Sequence, residues 1–311
     1  MAGADRAALP HGAPPRGVTG LSKPPIQPVP APRHPGRTRA GRGFCCRQTG
    51  VRAQRPDRQN AGMRNTPSNM TVQRLDLGYF IRPASETGTS QPRAEPVLAC
   101  LVRHDKGLLL FDTGIGAADP DTEAHYRPCR RALQEALTAA GAALDDISLV
   151  VNCHLHFDHC GGNPLLAGRP VLVQQTELEA AQQGGHTFDH LIGFPGAAYE
   201  VTAGETEVWP GVWIIPTPGH TQGHQSLVLR QNDGTVLLAG QAHDTASHFA
   251  SEHLARRAAH DGLRPPLPPY QPWLDRLTDF DPRRVLFAHD CSVWEPPRTR
   301  PAGGSAEAAT G

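Results

Sequence analysis

The sequence predicts an α+β fold in which two β-sheets pack against each other with helices outside, behind a basic arm without periodic structure. Three observations predict it. Strand-like segments come in two runs separated by helical spacing, the order expected of layered sheets flanked by helices. Ile147–Asn152 is a continuously apolar strand, the kind buried on both faces, and it opens directly onto a histidine cluster. Near residue 70 the chain changes from Pro, Gly and Arg to alternating apolar residues.

A length of 311 residues allows one large domain or two ordinary ones. Lys+Arg and Asp+Glu both number 30, so net charge points to no partner. Their distribution is uneven: residues 1–69 hold twelve of the bases and two of the acids, Asp5 and Asp57, leaving eighteen bases and 28 acids in residues 70–311. With Phe44 its one aromatic residue, the 1–69 segment is expected to be disordered. A nucleic-acid arm or a transit peptide would also be Arg-rich and acid-poor. Pro10, Pro14, Pro15, Pro24 and Pro25 interrupt the amphipathic helix a transit peptide needs. The preferred reading is a non-structural extension, with Met63 or Met70 as an alternative start. The division is thus an arm (1–69), a domain (70–295) and a disordered tail (296–311).

No apolar run approaches the ~20 residues of a membrane span, and no charged-then-apolar leader is present. Seven cysteines, odd in number and without a C-x-x-C, fit a reduced, cytoplasmic protein.

Within the domain, Val72–Ile81 alternates as a half-buried strand. Pro96–Val102 and Leu108–Phe111 are strands joined by a hairpin turn at His104-Asp105-Lys106-Gly107. Asp112-Thr113-Gly114 ends the third strand. Residues 128–140 have helical spacing through Ala132, Leu133, Leu137 and Ala140. Pro170–Val173 is a strand, and Thr176 is the expected N-cap of a helix running to Gln183. Residues 184–200, with two glycine breaks, are expected to be a loop or short-helix excursion outside the framework. Strands return at Glu207–Trp209, Val212–Pro216, Ser226–Arg230 and Thr235–Ala239, followed by helices at Thr245–Ala258 and Pro272–Leu277 and a strand at Val285–Ala288.

The strongest signal is Asn152-Cys153-His154-Leu155-His156-Phe157-Asp158-His159-Cys160-Gly161-Gly162. His154 and His156, two apart on extended chain, point to the same side and can reach one cation. Asp158 and His159 follow a turn and can face a neighbouring site. Cys153 and Cys160 are expected to be small apolar filling rather than ligands. His186, His190, His243, His248, His253 and His260 are expected mostly at the surface, His243 being set apart by its position.

This cluster resembles the H-x-H-x-D-H signature of the metallo-β-lactamase superfamily, and the resemblance extends in order over residues 71–294. It implies a four-layer αβ/βα sandwich with metals at one edge between the sheets. It also implies that His220, within Pro218-Gly219-His220-Thr221, completes the first metal site with His154 and His156, and that His289 joins Asp158 and His159 at the second. Asp112 and His224 are expected to orient these loops rather than bind metal. The cluster and the Phe287-Ala288-His289-Asp290 ending are similar to those of quorum-quenching N-acyl-homoserine lactonases.

One position departs from the family. Gln241 stands where the superfamily places a metal-bridging aspartate, and a neutral amide offers one weak oxygen instead of two anionic ones. Asp244 stands where lactonases carry an assisting tyrosine. Gln241 is expected to make only a weak or indirect contact with metal, and Asp244 to serve as replacement ligand or proton shuttle; a single tightly held metal is the other option.

Nitrogen and oxygen ligands suit zinc, one or two ions, with iron, manganese or cobalt as alternatives. A bound metal lowers the pKa of its water to ~7 and polarises a carbonyl. The expected activity is attack of the resulting hydroxide on a lactone or small ester, with Asp158 or Asp244 carrying the proton to the leaving group. Phe188, Phe194 and Tyr199 are candidates to line an acyl pocket. The alternatives are a thioesterase of the same superfamily and a mononuclear iron oxidoreductase resembling persulfide dioxygenases. The acidic body disfavours a nuclease. The expected partner is a small-molecule substrate, not nucleic acid or membrane, with the oligomeric state open and a homodimer among the options.

Overall fold

The computed structural model describes residues 69–296. The readings of residues 1–69 and 296–311 as arm and tail therefore lie outside the described residues, but for Asn69 and Pro296. The domain is built from two sheets. The first contains β1 (Thr71–Arg82), β2 (Arg93–His104), β3 (Gly107–Phe111), β4 (Cys129–Arg130), β5 (Ile147–Val151), β6 (Pro170–Gln174) and β7 (Ala198–Thr202), in the order β4-β1-β2-β3-β5-β6-β7. The second contains β8 (Thr206–Trp209), β9 (Val212–Pro216), β10 (Gln225–Gln231), β11 (Gly234–Leu238), β12 (Pro282–Leu286) and β13 (Val293–Trp294), in the order β13-β12-β11-β10-β9-β8. Among the described residues seven α-helices accompany them: α1 (Ala84–Thr87), α2 (Pro120–Tyr126), α3 (Leu133–Ala139), α4 (Gln175–Gln182), α5 (Asp189–Ile192), α6 (Ala246–His260) and α7 (Trp273–Thr278).

The layers follow from the pleat, which sends successive side chains to opposite faces. On β3 and β5, Leu109, Phe111, Leu149 and Val151 point into the core between the sheets, where they meet Val212, Ile214, Leu227, Leu229, Val236 and Leu238. Their neighbours Leu110 and Val150 point outward onto Leu133 and Leu137 of α3, Ala181 of α4 and Leu191 of α5, and Ile147 joins them because a register shift at Ser148 interrupts the alternation of β5. On the second sheet, Val228, Leu237 and Val285 point out to Phe249 of α6 and to Leu274 and Leu277 of α7. Three apolar layers thus lie between four layers of secondary structure, the αβ/βα sandwich expected.

The expected turns are present. His104 and Gly107 close the β2–β3 hairpin, with Gly107 at φ 135°, a conformation open to glycine. Thr245 caps α6, its side chain accepting from His248 N at 3.1 Å.

Three expectations are corrected. Residues 128–140 are not one helix: Cys129–Arg130 pairs with Gly78 and Tyr79 at the sheet edge, and α3 begins only at Leu133. Thr176 is not an N-cap, because α4 starts one residue before it, after Gln174, whose side chain makes no capping bond. The 184–200 excursion does reach the framework, since Ala198 begins β7, parallel to β6 with Pro170 opposite Ala198 and Gln174 opposite Thr202. An edge strand with one sheet neighbour carries little apolar alternation of its own, so its sequence does not announce it.

β3 and β5 are parallel, as are β11 and β12, and the antiparallel β10 leaves β9 running in the same sense as β11. The segments following β3, β5, β9, β11 and β12 therefore all emerge at one edge of the sandwich. These are the segments that carry Asp112, the 152–162 cluster, His220, Gln241 and His289. Bonds from Gln225 N to Cys153 O and from Leu98 N to Ala288 O, 2.8 and 2.9 Å, tie the two sheets together there.

Candidate metal centre

β5 leaves the core at Val151, and the fully buried Asn152 opens the loop that follows. Its side chain donates to His159 O at 3.0 Å and accepts from Asn163 Nδ2 at 2.9 Å, folding the cluster back on itself. Gly161 makes that return path fit: a Cβ there would run into the backbone of Ile115 and Gly116. Gly240, at φ 59°, gives β11 the left-handed turn that brings Gln241 inward, and a Cβ on it would collide with Cys153.

The six expected ligands come together in two adjoining groups. His154, His156 and His220 form one; Asp158, His159 and His289 form the other. His220 Nε2 lies 3.0 Å from His156 Nδ1. His159 Nε2 lies 3.1 Å from His289 Nε2, and Asp158 Oδ2 is 3.5 Å from each of those nitrogens.

The tautomers can be assigned from the fixed partners. His289 Nδ1 donates to the Pro96 carbonyl at 2.9 Å, and His159 Nδ1 donates to Asp112 Oδ2 at 3.0 Å. Their Nε2 atoms are left facing each other. In the neutral rings both carry lone pairs, and neither has a proton for the other. His154 Nε2 is buried with no hydrogen-bond partner among the described residues. The orphaned His154 nitrogen is what a cation resolves, while the close pair of Nε2 atoms is resolved either by a cation or by a second proton on His159. An ion with Zn–N bonds of ~2.0–2.1 Å spaces its tetrahedral ligands ~3.3 Å apart, close to the separations seen. The donor set fits a divalent ion of the zinc type.

Burial sets the charge state. It drives His154 well below the usual imidazole range, His156 to about 4 and His220 to about 3, with neighbouring imidazoles adding to the effect. These rings are neutral at pH 7, with lone pairs that could hold a cation. His159 goes the other way. Burial lowers it, but the carboxylates of Asp158 and Asp112 outweigh that and raise it to about 9. Asp158 is ionised: burial opposes this, and His159, His289 and His156 overcome it.

Asp112 orients rather than ligates. It adopts φ 62°, and Oδ1 accepts from Cys153 N at 2.8 Å while Oδ2 accepts from Cys153 Sγ at 3.1 Å and from His159 Nδ1. Cys153 is accordingly not mere filling. Burial holds its thiol well above the usual value, so it remains a protonated hydrogen-bond hub beside the ligands. His224 also orients. Its Nε2 accepts from Gln241 N at 3.1 Å, so Nδ1 carries the proton and donates to Thr217 Oγ1 at 2.8 Å. Gln241 Oε1 faces His159 Nε2 at 3.2 Å, and its amide donates to Asp244 Oδ1 at 3.2 Å. Asp244 stands behind Gln241, outside both ligand groups.

Two residues were not legible beforehand. Glu177, on α4 and 1% exposed, accepts from Leu155 N at 2.8 Å, Thr221 Oγ1 at 2.7 Å and His186 Nε2 at 2.6 Å. It thereby locks the His154–His156 segment to the His220 loop. Nothing distinguishes it in sequence from a solvated first-turn acid. His186, expected at the surface, instead lies against His156, with ring centroids 4.7 Å apart.

A cavity of about 460 Å³ opens over the centre, lined in part by Phe80, Arg82, Tyr126, Phe157 and Phe188 beside His156, Asp158, His220 and Gln241. Phe188 lines it as expected; Phe194 and Tyr199 do not, since Phe194 is buried and Tyr199 packs on the outer core. Arg82 is held by the buried Glu95, which Arg93 also contacts.

Comparison with known proteins agrees with this geometry. The metallo-beta-lactamase superfamily profile matches residues 92–289. The N-acyl homoserine lactonase AiiA of Bacillus thuringiensis subsp. kurstaki is 33% identical over 170 residues, 50% of this chain and 68% of the relative. A crystal structure of a B. thuringiensis AiiA variant with N-decanoyl-L-homoserine at its active site superposes with a TM-score of 0.59 at 25% identity, covering 72% of this chain and 94% of the other. An N-acyl homoserine lactone hydrolase with the product N-hexanoyl-L-homoserine at its catalytic metal centre gives 0.59 at 26% identity, with 72% and 94% covered. With the profile covering most of the chain and the fold and donor set in agreement, the chain belongs to the metallo-β-lactamase superfamily and is a hydrolase.

Proposed function

We propose that this protein is a lactonase that opens acyl lactones, N-acyl homoserine lactones among them, using zinc. The observation that carries the reading is a three-imidazole group adjoining a group of two imidazoles and a carboxylate at the floor of an aromatic-walled cavity. The likeness to lactonases supports the substrate class. His154, His156 and His220 would hold one ion, and Asp158, His159 and His289 a second. An ion held there supplies a water acidified to a pKa of ~7 and a Lewis acid for the carbonyl.

The residues of the chain do the rest. Asp158, ionised and at the cavity, accepts the proton of the attacking water and returns it to the leaving alcohol. Asp244 holds the Gln241 amide so that Oε1 faces the second ion position, a positioning role in place of direct proton transfer. Phe80, Tyr126, Phe157 and Phe188 offer an apolar wall to an acyl chain, and the volume suits a medium-sized ligand. The buried free thiols of Cys100, Cys153 and Cys160 support placement in a reducing compartment such as the cytoplasm. No described helix is long and apolar enough to cross a membrane.

The test is a substrate panel with matched elemental analysis. Zinc-loaded protein is expected to hydrolyse acyl lactones well ahead of thioesters, β-lactams and phosphodiesters. Turnover of a persulfide with oxygen uptake by iron-loaded protein, without lactone hydrolysis, would overturn the proposal.

A further inference from the structure

Outside the catalytic edge, the loop after β11 and the first turns of α6 bring together His243, His248 and Glu252. His248 and Glu252 are one helical turn apart, so both side chains rise from the same face of α6. His243 precedes the helix and is 3% exposed. Neither of its ring nitrogens makes a hydrogen bond among the described residues. That is unusual for a buried imidazole, where an unsatisfied polar atom costs the full desolvation of the group.

The surroundings show where those nitrogens point. Phe249 and Trp273 close around the ring edge-on, with centroids 5.2 and 5.3 Å away. His243 Nε2 is 3.2 Å from Glu252 Oε2 but lacks hydrogen-bond alignment. His248 Nε2 is 3.4 Å from Glu252 Oε1. The two nitrogens thus flank the carboxylate, one at each oxygen, at separations near the ~3.3 Å spacing of zinc ligands. Glu252 is itself steadied by Gln271 N, which donates to Oε2 at 3.0 Å. Burial keeps His243 below the usual imidazole range, so it is a neutral ring offering lone pairs.

We infer that His243, His248 and Glu252 form a second, peripheral site for a borderline divalent transition ion such as zinc, separate from the catalytic centre. Two imidazoles and a carboxylate select zinc, nickel or copper over magnesium or calcium. Three protein ligands leave a fourth position to water, toward the exposed His248. The ion would clip α6 to the loop bearing Gln241 and Asp244, close to where Trp273 Nε1 donates to the Pro218 carbonyl of the His220 loop. Its role there is structural: it anchors from behind two loops that frame the catalytic edge.

The experiment is zinc titration of metal-stripped full-length protein against a chromogenic chelator, for wild type, His248→Ala and His248→Cys. His248 is solvent-exposed, so its truncation leaves the core intact. His248→Ala is expected to bind one equivalent fewer per chain than wild type. His248→Cys, which supplies a thiolate donor, is expected to recover that equivalent. Equal stoichiometry in wild type and His248→Ala, or a loss that Cys fails to restore, would overturn the site. Because the readout is a difference between variants that share the catalytic centre, it stands whether that centre holds one ion or two.

Discussion

Replacing Asp112 with asparagine tests whether the second ion position depends on a single tautomer. Asparagine tolerates the φ of 62° and keeps an oxygen to accept from Cys153 N, so the loop retains its shape. What changes is Oδ2. An NH2 group now faces His159 Nδ1–H at 3.0 Å and the Cys153 thiol at 3.1 Å, a donor meeting donors. The ring relieves the clash by moving its proton to Nε2, the atom 3.1 Å from His289 Nε2 and aimed at the ion. Loss of such an orienting carboxylate typically costs 10–100-fold in metal affinity, or ~1.4–2.7 kcal/mol. The measurement is retention of the catalytic centre's second zinc under graded chelator, in the His248→Ala background so that the peripheral ion is not counted, with circular dichroism confirming the fold. The first equivalent, on His154, His156 and His220, should be held as in wild type. If Asp112→Asn keeps both equivalents at wild-type affinity, the tautomer argument is wrong and Asp112 serves only the backbone.

Four further predictions follow from other parts of the molecule. Gln241→Asp puts an anionic carboxylate beside His159, and is expected to raise affinity for the second ion in the same chelator assay; Asp244→Asn should leave both equivalents bound while lowering lactone turnover through a loosened Gln241. Glu177→Gln should destabilise the protein by ~1–3 kcal/mol at neutral pH through lost charge-assisted bonds. Bonds from His186, Thr221 and Leu155 hold the Glu177 carboxyl below the usual 4.5 despite its burial, so its stabilisation is full above 4.5 and disappears as pH falls through the lower folded value. Acid denaturation should therefore be steeper below pH 4.5 in wild type than in Glu177→Gln, and identical curves would rule out this role. Deleting residues 1–68 should leave soluble, metal-binding protein with undiminished turnover, since that composition cannot bury a core; loss of zinc binding on deletion would assign the arm to the fold.

Much of this protein is readable without coordinates because its signals are local. Strands such as Val212–Pro216 and Leu108–Phe111 follow from apolar runs and their turns, and the 152–162 cluster places four donors within six positions of one strand end. Even the relation of His220 and His289 to that cluster follows from sequence order, once the resemblance to a family is admitted. The remainder depends on what lies opposite in space. β7 is a strand only because β6 offers it hydrogen bonds, and Cys129–Arg130 leaves the helical pattern only because the edge of β1 is open. Glu177 is an ordinary acid until three donors from distant segments converge on it. His243 has no assigned place in the sequence until the fold buries it beside Glu252 of α6. Periodicity and spacing record what a residue does to its own neighbours along the chain. The tautomers of His159, His224 and His289 are set by groups 17 to 193 positions away, which only the folded chain brings within hydrogen-bond reach.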